Sequence, residues 1–106
     1  MINYQDFKKL DLKVGTIVKA ERVENSKKLL RLEVEVGKDK RQLVAGLGKH
    51  YQPKELIGRQ IVIVANLKPK IIYGLESQGM LLAAGDEENI TLLQPDKKVS
   101  SGTKVY

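Results

Sequence analysis

The seven residues Leu30-Arg-Leu-Glu-Val-Glu-Val alternate without a break between apolar and charged side chains. In an extended chain successive side chains point to opposite faces. Four apolar groups therefore share one side, and three carboxyl or guanidinium groups share the other. A helix cannot use that spacing, whereas a half-buried antiparallel strand requires it. A hairpin turn is expected at Gly37 to Lys40, feeding a second strand over Arg41 to Leu47.

The rest of the chain has the same texture. LKVGTIVKAERV, from Leu12, is rich in β-branched residues, and Gly15 inside it predicts a bulge or a tight bend. IVIVA, MLLAAG and ITLL read as three further strands, with the turn-rich GDEEN between the last two. Helical signals are brief. Asn3 caps a helix of about two turns with Asp6 in a capping-box place, and Tyr4, Phe7 and Leu10 form an apolar side that anchors it to the core. Pro53 opens and Gly58 closes a second short helix. No repeat or linker interrupts this order. The expected fold is all-β, a single domain over residues 1–106. A five-stranded OB-fold barrel with short helices fits best, because one short helix falls after the third strand. A C-terminal extension of roughly twenty-five residues follows the minimal barrel, a length set by short strands.

Composition narrows the chemistry. There is no cysteine and one histidine, His50, so disulfides, thiol catalysis and His- or Cys-based metal sites are not expected. The GxG at Gly46 and Gly48 has Tyr51 where a dinucleotide loop needs its third glycine, and no βαβ unit surrounds it. Glu33 and Glu35 belong to the wet face of the alternating strand, and Ser77 has no evident base and acid partners. A non-enzyme without metal or cofactor is the expectation. The N-terminal dozen residues mix acids and bases, unlike a signal peptide, and the apolar run at Ile61 to Leu67 is too short to cross a bilayer. A cytoplasmic location with no membrane partner follows.

Nineteen Lys and Arg against thirteen Asp and Glu give a net charge of +6. No charged tail holds the excess, so the folded surface carries it, and such a surface attracts polyanions, nucleic acid foremost. Tyr51 lies near Lys49 and His50, and Tyr73 near Lys68 and Lys70. Rings beside lysines can stack bases while the lysines pair with phosphates; a half-buried tyrosine keeping its hydroxyl wet is the plainer use.

The series Asp11-Leu-Lys-Val-Gly, Lys28-Leu-Leu-Arg-Leu, Arg41-Gln-Leu-Val-Ala-Gly, Pro53-Lys-Glu-Leu-Ile-Gly, Asn66-Leu-Lys-Pro and Gly74-Leu-Glu-Ser-Gln-Gly-Met resembles the tRNA-binding domain appended to methionyl-tRNA synthetases. It is similar also to stand-alone structure-specific tRNA-binding proteins and to the cytokine-precursor tRNA cofactor module. The resemblance implies an OB-fold that binds tRNA by shape and backbone. It implies a homodimer formed through the N-terminal segment and the C-terminal extension. It further implies the role of a separate beta chain, with the catalytic subunit of methionyl-tRNA synthetase as partner. Carried over by position, the tRNA-binding residues are Lys28, Arg41, Lys49, Asn66, Lys68, Ser77 and Met80, with Pro69 and Gly79 fixing the path. Lysines would neutralise phosphates, Asn66 would bond a base edge or pin the turn, Ser77 would serve a phosphate or 2′-hydroxyl, and Met80 would adapt to a base face.

Two places depart from the family pattern. Val23-Glu24 stands where His-Pro is common, and Ile71 and Tyr73 stand where basic residues are usual. Lys70 carries the charge there instead, and Tyr73 is placed to stack; both join the expected site. A superfamily relative, an export-related peptide-binding chaperone, supplies the alternative reading. A nonspecific single-strand binder ranks behind it, because one Phe and four Tyr make few stacking platforms.

Overall fold

The structure, a computed structural model, describes residues 1–106. Its centre is β1 (Leu12–Arg22), which pairs antiparallel with β4 (Gln60–Val64) along its first half and with β2 (Leu30–Val36) along its second. The switch of partners falls at Thr16, where the strand curves from one neighbour to the other. With β3 (Asp39–Ala45) beside β2 and β7 (Met80–Leu81) beside β4, the order is β3-β2-β1-β4-β7. A helix, α2 (Pro53–Leu56), is intercalated between β3 and β4, as expected for the OB-like arrangement.

The alternation in β2 is realised in full: Leu30, Leu32, Val34 and Val36 are buried, and Arg31, Glu33 and Glu35 are only half-buried. Ile17, Leu43, Leu56, Ile61 and Ile63 complete the closed centre of the core. Fully burying each such side chain contributes about 1.5–3 kcal/mol, so the strand pattern itself sets the barrel interior. The bulge in β1 lies between Ile17 and Lys19, past Gly15. Gly15 serves a different need. A Cβ there would come within 2.5 Å of Val34 Cγ1, so the glycine lets β1 cross β2 closely.

Three elements differ from the sequence expectation. The helix α1 (Tyr4–Phe7) has its Asn3–Asp6 capping box but no buried residue. Tyr4 is 69% exposed, and Phe7 and Leu10 are exposed too. They do not anchor the helix to the core: none of its four residues is buried, and the Asn3–Asp6 cap holds the turn locally. MLLAAG is not one strand. It divides into β7, which pairs with β4, and β8 (Ala83–Gly85), which pairs with β9 (Ile90–Leu92). An unexpected hairpin joins β5 (Lys70–Ile72) to β6 (Leu75–Ser77). Its turn places Tyr73 at φ 51° and Gly74 at φ 77°, positive at both centres as in a type I′ turn.

The C-terminal extension folds back on its own chain. Thr103 O accepts from Val14 N at 2.8 Å, Gly102 N donates to Val14 O at 2.7 Å, and Val105 N donates to Leu12 O at 2.9 Å. It thereby occupies the edge of β1 that β2 leaves free. No helix is long and apolar enough to cross a membrane.

Candidate nucleic-acid interface

The barrel closes between β3 and Ser77-Gln78 at the end of β6, through two side-chain hydrogen bonds and one backbone bond. Ser77 Oγ accepts from Val44 N at 3.0 Å, Gln78 Oε1 accepts from Gln42 N at 2.9 Å, and Gln78 N donates to Gln42 O at 2.7 Å. Beside this clasp lies an apolar groove of about 740 Å³. Leu43, Ile72, Met80, Leu81 and Ile90 supply its walls, while Lys28, Lys68 and Lys70 stand on it without any acidic neighbour in the lining. None of the three lysines takes part in an ion pair. All three are exposed, so their charge is free for a ligand.

The other expected residues divide by use. Met80 joins the groove and is 52% exposed, so it is not a core residue. Ser77 also borders the groove but is only 5% exposed, and its hydroxyl donates to Gly79 O at 3.2 Å while accepting from Val44 N. The hydroxyl is committed to the clasp, with its donor already engaged. Asn66 pins a turn: Oδ1 accepts from Asp11 N at 2.9 Å and Nδ2 donates to Lys9 O at 2.7 Å. Arg41 is turned inward, its guanidinium donating to Ala65 O and to Gln78 O and lying 3.9 Å from Asp39.

Lys49 and Tyr73 lie outside the groove. Lys49 lines a neighbouring cavity of about 640 Å³ with Lys28 and His50, facing Asp86, Glu87 and Glu88 of the β8–β9 turn. A phosphate there would meet carboxylates as well as lysines. Tyr73 is exposed at the hairpin tip, but it shares a hollow with Arg22, Arg31 and Glu24 and not with Lys68 and Lys70. Those arginines are already engaged, Arg22 with Gly48 O and Arg31 with Glu21 and Gln42. Tyr51 takes the plainer of its two uses: its hydroxyl accepts from Leu92 N at 3.2 Å and Arg59 covers its ring. No group of three or more His, Cys, Asp or Glu side chains could hold a metal ion.

The sequence reading did not find the groove walls Leu43, Ile72, Leu81 and Ile90. Leu43, Leu81 and Ile90 read as ordinary strand residues and Ile72 lies in a hairpin that the sequence did not show, so only the folded arrangement brings the four together.

A curled five-stranded antiparallel sheet with an intercalated helix and a basic, apolar-floored groove defines an OB-like ligand-binding domain. Residues 12–104 match the family described as "Putative tRNA binding domain", and the chain belongs to that family. Methionine–tRNA ligase of Methanothrix thermoacetophila is 56% identical over 102 residues, which cover 96% of this chain and 15% of the ligase. That of Thermotoga maritima is 51% identical over 104 residues, 98% of this chain and 16% of the ligase. The chain thus spans about a sixth of the ligases it matches. A solved structure of a MetRS-related protein from Pyrococcus horikoshii superposes with a TM-score of 0.93 at 37% identity, covering 100% of this chain and 98% of that one. The chaperone CsaA from Bacillus anthracis does so with a TM-score of 0.92 at 37% identity, covering 100% of this chain and 99% of that one.

Proposed function

We propose that this domain binds folded tRNA and supplies tRNA affinity to a methionyl-tRNA synthetase catalytic subunit in trans. The observation that carries the reading is the convergence of Lys28, Lys68 and Lys70, free of ion pairs, on a groove with no carboxylate in its lining. Free lysines pair with phosphates and release counterions, while the fixed groove selects shape. The family and the ligase relatives support the choice of tRNA among polyanions. A tRNA partner supports a cytoplasmic location.

A homodimer fits the exposed apolar residues of the N-terminal segment. Met1, Ile2, Tyr4, Phe7 and Leu10 are all exposed, and pairing about a two-fold axis would bury them and double the positive surface. Peptide binding is the second reading, favoured by the apolar walls of the groove and the CsaA likeness. Titration with folded tRNA, a homopolymer single strand and an unfolded peptide over a salt series separates them. Preference for folded tRNA with a steep salt dependence supports the first reading; binding of peptide alone overturns it.

A further inference from the structure

Resting on the tRNA-binding reading, we propose that the groove beside the β3–β6 clasp takes up a single unstacked nucleobase from an RNA loop or end. The groove has two parts with opposite demands. Its walls are aliphatic side chains and one methionine, and a phosphate entering them would lose its hydration without a hydrogen-bonding partner. Its lysines, Lys28, Lys68 and Lys70, are exposed and unpaired, and they suit a phosphate that stays in water. A nucleotide matches both demands when its base turns inward and its phosphates remain outside.

The size agrees. About 740 Å³ falls in the range of small-molecule sites, ample for one base with its sugar and too confined for a duplex, whose base faces are already stacked on one another. The chemistry of the walls sets the number of bases. No aromatic ring lines the groove, so it cannot act as a stacking platform for a run of bases. Met80, half exposed on the short strand β7, offers a polarizable surface that adapts to either a purine or a pyrimidine face. Ser77 is spent on Val44 and Gly79, so the wall adds no hydroxyl readout there. The result is selection for an unpaired nucleotide with little choice of base. A peptide is the less favoured occupant, because three lysines and no acid line the groove and the side chain entering it would need an acidic neighbour.

The test uses the full chain and two RNAs of equal length. One is a hairpin with 2-aminopurine at each loop position in turn, and the other is a fully paired duplex. Met80→Ala and Ile72→Ala are each compared with the unaltered protein, with melting temperature followed for both. The hairpin should bind more tightly than the duplex, and 2-aminopurine emission should change on binding. Each variant that keeps its melting temperature should lose about fivefold in hairpin affinity, as expected when about 1 kcal/mol of apolar contact is removed, shrinking the hairpin preference. Equal losses for hairpin and duplex, or no emission change at any loop position, would overturn the nucleobase site and leave tRNA binding by the lysines intact. Absence of binding to folded tRNA as well as to both RNAs would overturn the tRNA-binding reading itself. An acidic apolar peptide whose binding falls in the variants while hairpin binding does not would assign the groove to peptide.

Discussion

Replacing Lys68 and Lys70 together with alanine should weaken tRNA binding through the loss of two phosphate contacts. Both side chains are exposed, and neither is in an ion pair, so nothing in the fold depends on their charge. Stability should stay within about 0.5 kcal/mol of the unaltered protein. Each phosphate contact contributes about 0.7–0.9 to the slope of log K against log salt. At ~0.1 M salt that corresponds to about five- to eightfold in affinity per contact, and to about 25- to 60-fold for the pair. Filter binding or fluorescence anisotropy with folded tRNA over ~0.05–0.2 M salt reads both the slope and the affinity. The matched control is Lys97→Ala with Lys98→Ala, which removes the same charge from the C-terminal segment. Both pairs lower the distant field equally, and screening over about 10 Å at 0.1 M leaves only local contacts to tell them apart. A fall in slope of about 1.4–1.8 for the first pair and near zero for the control is expected. Equal slopes for the two pairs would refute the placement of Lys68 and Lys70 at the phosphates.

Three further outcomes follow from the geometry. Asn66→Ala removes the hydrogen bonds to Asp11 N and Lys9 O, so chemical denaturation should show a loss of about 1–3 kcal/mol, with the salt slope for tRNA unchanged. Ser77→Ala leaves the Val44 N–H without its partner in the barrel closure. It should cost about 1–3 kcal/mol, with each ~1 kcal/mol lowering the melting temperature by about 4–8 °C. Analytical ultracentrifugation at micromolar concentration should give a dimer that Tyr4→Lys with Phe7→Lys dissociates without unfolding; a monomer in the unaltered protein would refute the dimer.

Legibility followed the period of the chain. Strand β2 could be read residue by residue, because a seven-residue alternation leaves one choice of face, and the capping box of Asn3 and Asp6 was equally local. Side-chain roles in the segment 66–80 depended on neighbours far along the chain, and there spacing is silent. Arg41 reaches the carbonyls of Ala65 and Gln78 only because the sheet curls. The β5–β6 hairpin hid for a local reason. Its turn uses Tyr73-Gly74 where Asn-Gly is the usual signal, and a bulky residue at positive φ costs roughly 1–2 kcal/mol. That cost must be met by the pairing of Lys70 with Ser77 and Ile72 with Leu75. The apolar side of α1 misled for the opposite reason: periodicity shows that a face is apolar, not what covers it.

The residues that match the family motif divide into those engaged within the fold, Asn66, Arg41 and Ser77, and those free in the groove, Lys28, Lys68 and Met80, and the division has a physical sense. Asn66 fixes the start of the segment to residues 9–11, Arg41 ties Ala65 to Gln78 across its two ends, and Ser77 joins its end to β3. Between these braces hang Lys68, Lys70 and the β5–β6 hairpin, with Met80 just beyond. Ordering a free backbone costs about 1–2 kcal/mol per residue, and a segment already braced meets that cost during folding, not during binding. Brace and contact therefore leave different marks on the same titration. Losing a lysine contact lowers the salt slope, whereas losing Asn66 loosens the lysines without removing a charge, so affinity falls at every salt concentration in parallel. Asn66→Ala giving a reduced slope would mean that the residue helps place the lysines at the phosphates, and parallel lines would mean that its part is to hold the edge still.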